Sequence, residues 1–542
     1  MCEILLIIPA RGNSKGIPRK NIRDLGGNPL VYYAINTGLN SRFDIDVYVS
    51  SDDSEILQIS KTLGAKTHKR SEKLSGCEVT LDPVVYDAYL DIGSRTGKKY
   101  ALVITLQPTS PILKSSTLDS AIQKMLDNDI DTMISAAKDA HLSWKKVDNK
   151  FVPNYTKRLN RQELDCVYRE TGGFVITKSI FLTEQSRLGK NIDLFLLGDG
   201  EEIDIDDYVD WGICEYYLKK KKVVFVVKGN NRFGLGHIYN SLIIANDITN
   251  HHLVFLVEKD SRLGYEVIQS KNYEVYMQED DNIVNDVLRL QPDVVINDRL
   301  NTSSDYMMAL KDSGVRTVNF EDLGDGIEYA DMVINAIYTS ETFRENHYYG
   351  FSYYLLRDEF QLGRVVEKVS RKVSKVLIAF GGTDPNNLTL KVLNSIYSYC
   401  ASNEIKIKVV LGLGYDNTEA LSDFGLIDIY NNVSNISDFM SEADIIFSAM
   451  GRTVYEITSL GIPAILMAQN KRELSHTFGY SQNGFLNLGE GKSLECNVIR
   501  EEFIKLSESY AIRSRMNKMM AQRDVRSGRS RVKKMIKAVI ED

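Results

Sequence analysis

The chain has 542 residues, of which 43% are hydrophobic and 26% charged, and a formal net charge of −7. At ~100–200 residues per domain this length predicts three or four lobes, and the composition is that of a folded chain rather than a disordered one. Mild acidity argues against bulk nucleic-acid binding, so any anion site has to be local.

Six cysteines, Cys2, Cys77, Cys166, Cys214, Cys400 and Cys496, are scattered without CxxC or metal-finger spacing. They read as reduced thiols. No segment approaches the ~18 apolar residues of a membrane span. The apolar run at residues 4–8 is too short for a signal peptide. The expectation is a cytoplasmic protein with no membrane and no nucleic-acid partner.

The first expected strand, EILLII, runs into PARGNSKGIPRKN at residues 9–21. This stretch packs Arg11, Lys15, Arg19 and Lys20 around Gly12 and Gly16. Glycines let backbone N–H groups approach an anion, and fixed cations neutralise it, so the stretch reads as a polyphosphate grip. It is not a Walker loop, because GxxxxGK[ST] is absent. Gly12, Asn13 and Ser14 are expected to line a nucleotide, with Arg11 and Lys15 acting on its phosphates.

Val- and Ile-rich runs follow at 46–50, 100–106, 132–137 and 172–177, separated by helical stretches. That alternation predicts α/β units on a largely parallel sheet. LQPTSP, residues 106–111, falls at the carboxyl end of a strand, where open α/β sheets bind ligands. Gln107 can read a base edge there, while Thr109 or Ser110 can cap the next helix. Further on, EEIDIDDYVDW sets Asp204 and Asp206 two apart on a strand-like stretch, which puts both carboxylates on one face. Such a pair suits Mg²⁺, and the same acids could instead cap the helix that follows.

KKKK at 219–222 precedes a new strand at 223–227, which places a domain boundary at 222. From there the strand–helix rhythm runs twice, across 223–365 and 366–542, and predicts two doubly wound lobes with a cleft between them. In the first lobe FGLGH puts His237 at the mouth of a helix after Gly234 and Gly236. A helix N-terminus with glycines favours a diphosphate, and a histidine there can act as general base or simply cap the helix. In the second lobe AFGGTDPNN sets Gly381, Gly382 and Thr383 after a strand, and SAMGRTVYE carries Glu456 on a helix, where a carboxylate can accept both ribose hydroxyls. The basic stretch 513–537 reads as a solvated face of a terminal helix, with docking on nucleic acid or membrane as the less favoured alternative.

The motifs of residues 1–220 resemble the acylneuraminate cytidylyltransferases, also called CMP-sialic acid synthetases. The resemblance implies transfer of CMP from CTP to a nine-carbon keto acid sugar with release of pyrophosphate. It implies that Arg11 and Lys15 hold the triphosphate, that Asn21 and Gln107 contact the nucleotide, and that Asp204 and Asp206 bind Mg²⁺. RQELDCVYRETGG resembles the sugar-binding segment, with Arg161 and Arg169 facing the acidic sugar. Thr171 stands where the sialic acid enzymes commonly carry Asn, so sialic, legionaminic and pseudaminic acids all stay open. A homodimer through this domain is also implied.

Residues 223–500 resemble a GT-B fold, and within it the UDP-sugar hydrolase of pseudaminic acid biosynthesis and its spore-coat polysaccharide relatives. That resemblance implies that water replaces UDP on a UDP-sugar, with His237 in the catalytic position and with Gly236, Gly382, Thr383 and Glu456 around the nucleotide. Two stretches depart from it: INDRLNTSSDY, which keeps Asp298, and GRT after SAM. A glycosyltransferase, a hydrolysing 2-epimerase or a non-catalytic nucleotide-sugar sensor are the alternatives for this half.

Overall fold

The structure is a computed structural model and describes residues 3–541 apart from 15, 77, 165–166, 231–233, 339–343, 368 and 413. It forms two compact units, Met1–Lys220 and Lys221–Asp542.

The first unit is built on strands β1 (Ile4–Pro9), β2 (Ile45–Ser51), β3 (Lys66–Lys69), β4 (Leu102–Leu106), β5 (Thr132–Asp139), β6 (Val167–Lys178) and β7 (Ile192–Leu196). They lie in the order β7-β5-β6-β4-β1-β2-β3. Only β6 runs antiparallel to its neighbours. The unbroken apolar run of β1 follows from burial on both faces. Ile4, Leu6 and Ile8 pack with residues of the helices Leu30–Leu39 and Ser115–Asp127, whereas Leu5 and Ile7 pack with the helix Leu81–Thr96. The chain passes from β1 to β2 on one side and from β4 to β5 on the other, so the loops after these adjacent strands frame a crevice at the carboxyl end of the sheet.

The second unit has two parallel sheets. The first lobe contains β8 (Lys222–Val227), β9 (His252–Val257), β10 (Glu274–Met277), β11 (Val294–Asp298), β12 (Arg316–Phe320), β13 (Met332–Asn335) and β14 (His347–Tyr349), in the order β10-β9-β8-β11-β12-β13-β14. The second lobe contains β15 (Lys375–Ala379), β16 (Lys406–Leu411), β17 (Ile427–Asn431), β18 (Ile445–Ser448), β19 (Ala464–Ala468) and β20 (Phe485–Glu490), in the order β17-β16-β15-β18-β19-β20. Both are doubly wound, and together they make the two lobes that the repeated rhythm predicted.

The C-terminal helix Gly528–Glu541 departs from expectation. The sequence placed 366–542 in one lobe, but Val532, Ile536, Val539 and Ile540 join the core of the first lobe with Val223, Phe225 and Val227. Their spacing makes one apolar stripe, and the stripe is buried against the first sheet. Nor is the basic stretch a uniformly solvated face. Arg513 is fully buried and donates to the carbonyls of Leu506, Ser507, Ser370 and Arg371. Arg529 grips Asp247 with Nε and Nη2 at 2.7 and 2.9 Å and also meets Asp358. Among the described residues no helix is long and apolar enough to cross a membrane.

Candidate active sites

In the first unit the loop after β1 closes on the acidic stretch. A Cβ on Gly16 would lie 2.6 Å from the Asp206 carbonyl oxygen, so only glycine allows this approach. Lys20 Nζ donates to the Ile205 carbonyl at 2.6 Å. Burial lowers the pKa of Lys20, and the carboxylates of Asp206 and Asp204 work against that. Asn21 is buried, and its amide donates to the Arg11 carbonyl at 2.9 Å, which pins the loop. Gly12 donates its N–H to Asp52 at 2.9 Å. Arg11 and Ser14 are half-buried and Asn13 is exposed, while Lys15 lies outside the described residues.

The segment after β4 supplies the other wall. Gln107 is half-buried, and its N–H reaches the Gly172 carbonyl at 3.3 Å. The Ile205 N–H donates to the Thr109 carbonyl at 2.8 Å. Asp204 leans on β6 at a break in the strand's register, where a Cβ on Gly172 would sit 2.7 Å from Asp204 Oδ1. Thr109 Oγ1, Ser110 Oγ and Asp204 Oδ1 are buried with no hydrogen-bond partner. Burial raises the pKa of Asp204; Asp206 and Asp210 add to the rise, and Thr109 and Lys20 oppose it.

An orphaned carboxylate oxygen beside a second, exposed carboxylate fits a divalent cation. Among the described residues no group of three or more His, Cys, Asp or Glu forms a ready cluster. Asp204 and Asp206 would therefore hold Mg²⁺ together with phosphate and water oxygens. The helix-capping alternative is met by the next residue instead. Asp207 caps Tyr208–Leu218 in a capping box with Asp210.

Arg169 lies exposed on β6 and lines a cavity of about 500 Å³ with Ala137, His141 and Glu202. Arg161 is exposed on the short helix Arg161–Glu163, and no contact joins it to Arg169 among the described residues. Thr171 is buried and donates to Ser135 Oγ at 2.8 Å, so its hydroxyl serves strand packing. Sequence reasoning missed Arg70. It is 5% exposed, donates to the Ser50 carbonyl at 2.7 Å, and stands near Asp52 and Arg11. Burial pushes its pKa down to about 10. In the string KTHKR nothing separates it from a surface charge.

In the second unit the loop after β8 and the end of β11 meet where the strand order reverses. His237, on the first turn of the helix Gly236–Asp247, places Nδ1 2.5 Å from Oδ1 of Asp298, the last residue of β11. Asp298 is fully buried and also accepts from Asn240 at 2.7 Å and Ser241 at 3.5 Å. With Nδ1 donating to this carboxylate, Nε2 is left as a base. Glu321 follows β12 with φ +50, a left-handed conformation that non-glycine residues rarely adopt. Its buried carboxylate accepts from the N–H groups of Ala336 at 3.1 Å and Ile337 at 3.3 Å. Burial pushes its pKa up to about 7.

A cavity of about 300 Å³ spans the two lobes and brings Gly234 and Gly236 together with Gly381, Gly382, Thr383 and Glu456. Glu456 is buried on the first turn of Thr453–Leu460 and accepts from Arg357 Nε at 2.8 Å. Arg357 and Arg452 also line the cavity. Sequence reasoning gave neither a role, because single arginines far apart in the chain carry no spacing signal.

Residues 5–191 match the family model described as cytidylyltransferase. The chain is 30% identical over 241 residues to a pseudaminic acid cytidylyltransferase of Campylobacter jejuni, covering 42% of this chain and 99% of that one. It is 30% identical over 275 residues to an uncharacterized protein of Methanocaldococcus jannaschii, covering 46% of this chain and 56% of that protein. It thus spans little more than half the length of this relative. A match at 23% identity over 311 residues to the spore coat polysaccharide biosynthesis protein SpsG of Bacillus subtilis covers 54% of this chain and 90% of that protein. That share exceeds the first unit, so this likeness reaches into the second.

Proposed function

The chain belongs to the cytidylyltransferase family, and on that premise we propose that its first unit transfers CMP from CTP to a nine-carbon acidic sugar and releases pyrophosphate. The observation that carries this reading is the closure of the glycine-rich basic loop on the Ile205–Asp206 backbone, next to Asp204. The anomeric hydroxyl of the sugar gives up its proton to solvent as its oxygen attacks the α-phosphorus, and the bond to the pyrophosphate oxygen breaks. Arg11, Lys15 and Lys20 neutralise the phosphates, and Gln107 stands at the strand end where a base would lie. Mg²⁺ held by Asp204 and Asp206 would offset charge on the phosphate oxygens. Arg169, with Arg161, suits the sugar carboxylate, which a guanidinium meets with two parallel hydrogen bonds. The C. jejuni relative's name favours a pseudaminic-type acid. The test is pyrophosphate release from CTP and Mg²⁺ with sialic, legionaminic and pseudaminic acids. Release with one of them, lost in Asp206→Ala, is expected; silence with all three would reject the reading.

For the second unit the reading is hydrolysis of a UDP-acetamido sugar. Support comes from the His237–Asp298 pair, carried next to Gly236 and Asn240, which line the two-lobed cavity. His237 Nε2 takes a proton from water, the water oxygen attacks the anomeric carbon, and the phosphate oxygen leaves with the bonding electrons as UDP. The carboxylate behind His237 favours this over a passive sensor, because a binding-only site has no need to hold a histidine as a base. UDP release without an acceptor, abolished in His237→Ala, is the expected result. Release only when an acceptor is added would make the unit a glycosyltransferase, and an epimerised free sugar would make it a hydrolysing 2-epimerase.

A homodimer through the first unit is part of the same reading. The exposed Trp144 and Phe151 of the hairpin 144–153, with Val167 and Tyr168 on β6, offer apolar surface for a second copy. Sedimentation of Phe151→Ser tests it, with a shift toward monomer expected.

A further inference from the structure

Arg452 stands between Gly451 and the helix that carries Glu456, yet its side chain reaches the first lobe. Its Nε and Cδ lie 3.2 and 3.4 Å from where a Cβ on Gly236 would be. This explains Gly236 by room for the arginine, whereas Gly234 has φ +77 and nothing within 4 Å. Arg452 Nη2 is buried without a hydrogen-bond partner. Among the described residues no carboxylate lies within 4.0 Å of the guanidinium.

Its charge is balanced at longer range. Burial works against the ionised form, but Asp298 and Glu321 outweigh it and raise the pKa above its usual value. Those carboxylates are already engaged, Asp298 by His237 and Asn240, Glu321 by two backbone N–H groups. The guanidinium is therefore held charged, partly desolvated and short of an acceptor. It lines the same cavity as Gly381, Gly382, Thr383 and Glu456. A charged donor in such a place gains most from an anionic ligand with oxygens to spare, and a phosphate offers two to one fork.

We propose that Arg452 is the diphosphate-recognising residue of the second unit, taking the phosphate oxygens next to the sugar so that the cavity selects nucleoside diphosphates over monophosphates and nucleosides. The inference rests on the reading of this cavity as a nucleotide-sugar site. It assigns a division of labour: Glu456, held by Arg357, takes the ribose, the GGT turn borders the inner phosphate, and Arg452 takes the outer one from across the cleft. Because Arg452 also touches the turn that bears His237, an occupied phosphate site brings the sugar end of the ligand beside the base.

The experiment is calorimetric binding of uridine, UMP and UDP to the full chain as wild type, Arg452→Gln and Arg452→Lys. UDP is expected to bind the wild type well ahead of UMP. Arg452→Gln should weaken UDP by about ten- to a hundredfold, the range of a charge-assisted hydrogen bond, and leave uridine within about twofold. Arg452→Lys keeps the charge that balances Asp298 and Glu321 but loses the fork, so it should fall between. Retained uridine binding certifies that each variant is folded. Equal weakening of all three ligands, or no weakening of UDP, would overturn the assignment while sparing the nucleotide site. If the wild type instead binds ADP, GDP or CDP, the uridine reading fails and the same diphosphate-to-nucleoside comparison decides on Arg452. If it binds no nucleoside diphosphate, both fall.

Discussion

Replacing Asp298 by Asn changes one atom type at the centre of the second unit. Asp298 is fully buried, with Oδ1 2.5 Å from His237 Nδ1 and Oδ2 2.7 Å from Asn240 Nδ2. A carboxylate accepts on both sides; a carboxamide accepts on one. If the new carbonyl oxygen faces Asn240, the NH₂ points at His237 Nδ1, which must then accept and carry its proton on Nε2. The nitrogen needed as base is lost. If the amide turns over, two NH₂ groups face each other and leave buried donors unpaired, at about 1–3 kcal/mol each. The first arrangement is therefore expected. The same tautomer error behind a serine nucleophile lowers kcat about 10⁴-fold, and a fall of roughly 10³–10⁴ is expected here. The assay is UDP release from UDP-acetamido sugars, with pyrophosphate release from CTP as a control on the first unit. Nitrogen-15 shifts of the imidazole should report the proton on Nδ1 in the wild type and on Nε2 in Asp298→Asn without substrate. UDP release within tenfold of wild type, an unmoved tautomer, or an equal loss in both units would refute the reasoning.

Gly172→Ala drives a methyl group to 2.7 Å from Asp204 Oδ1. We expect overpacking of about 1–3 kcal/mol and a raised Mg²⁺ requirement for pyrophosphate release; an unchanged Mg²⁺ titration would count against Asp204 as a metal ligand. Thr171→Val breaks the bond to Ser135 and should cost about 1 kcal/mol in denaturant unfolding while changing the choice of acidic sugar little, since the hydroxyl faces the sheet. A clear switch in sugar preference would contradict that placement. Glu321→Gln removes a buried carboxyl whose pKa is raised from 4.5 to about 7. A raised acid is tolerated while protonated and destabilises as pH climbs from its unfolded value toward 7, so the unfolding temperature of the variant relative to wild type should rise between pH 5 and pH 8. A flat or falling difference would mean that Arg452 stabilises the ionised form more than burial penalises it.

Much of the molecule was legible in the chain. Unbroken apolar runs such as 4–8 and 223–227 announce strands buried on both faces, and their recurrence with helical stretches announces doubly wound sheets. Glycines set among cations, the Asp204–Asp206 spacing and the FGLGH and GGT turns mark strand ends, because close backbone approach demands glycine locally. These features depend on neighbours within a dozen residues, so periodicity and composition reveal them. What the sequence by itself determined, then, was the elements, the two-unit plan and the loops at the strand ends. Only the tertiary structure decided which distant groups share a site. It paired His237 with Asp298, Glu456 with Arg357 and Gly236 with Arg452, buried Arg70, and returned the last helix to the first lobe. Those outcomes depend on desolvation and on contacts between residues 60 to 300 positions apart, and no local pattern records which charge will lose its water.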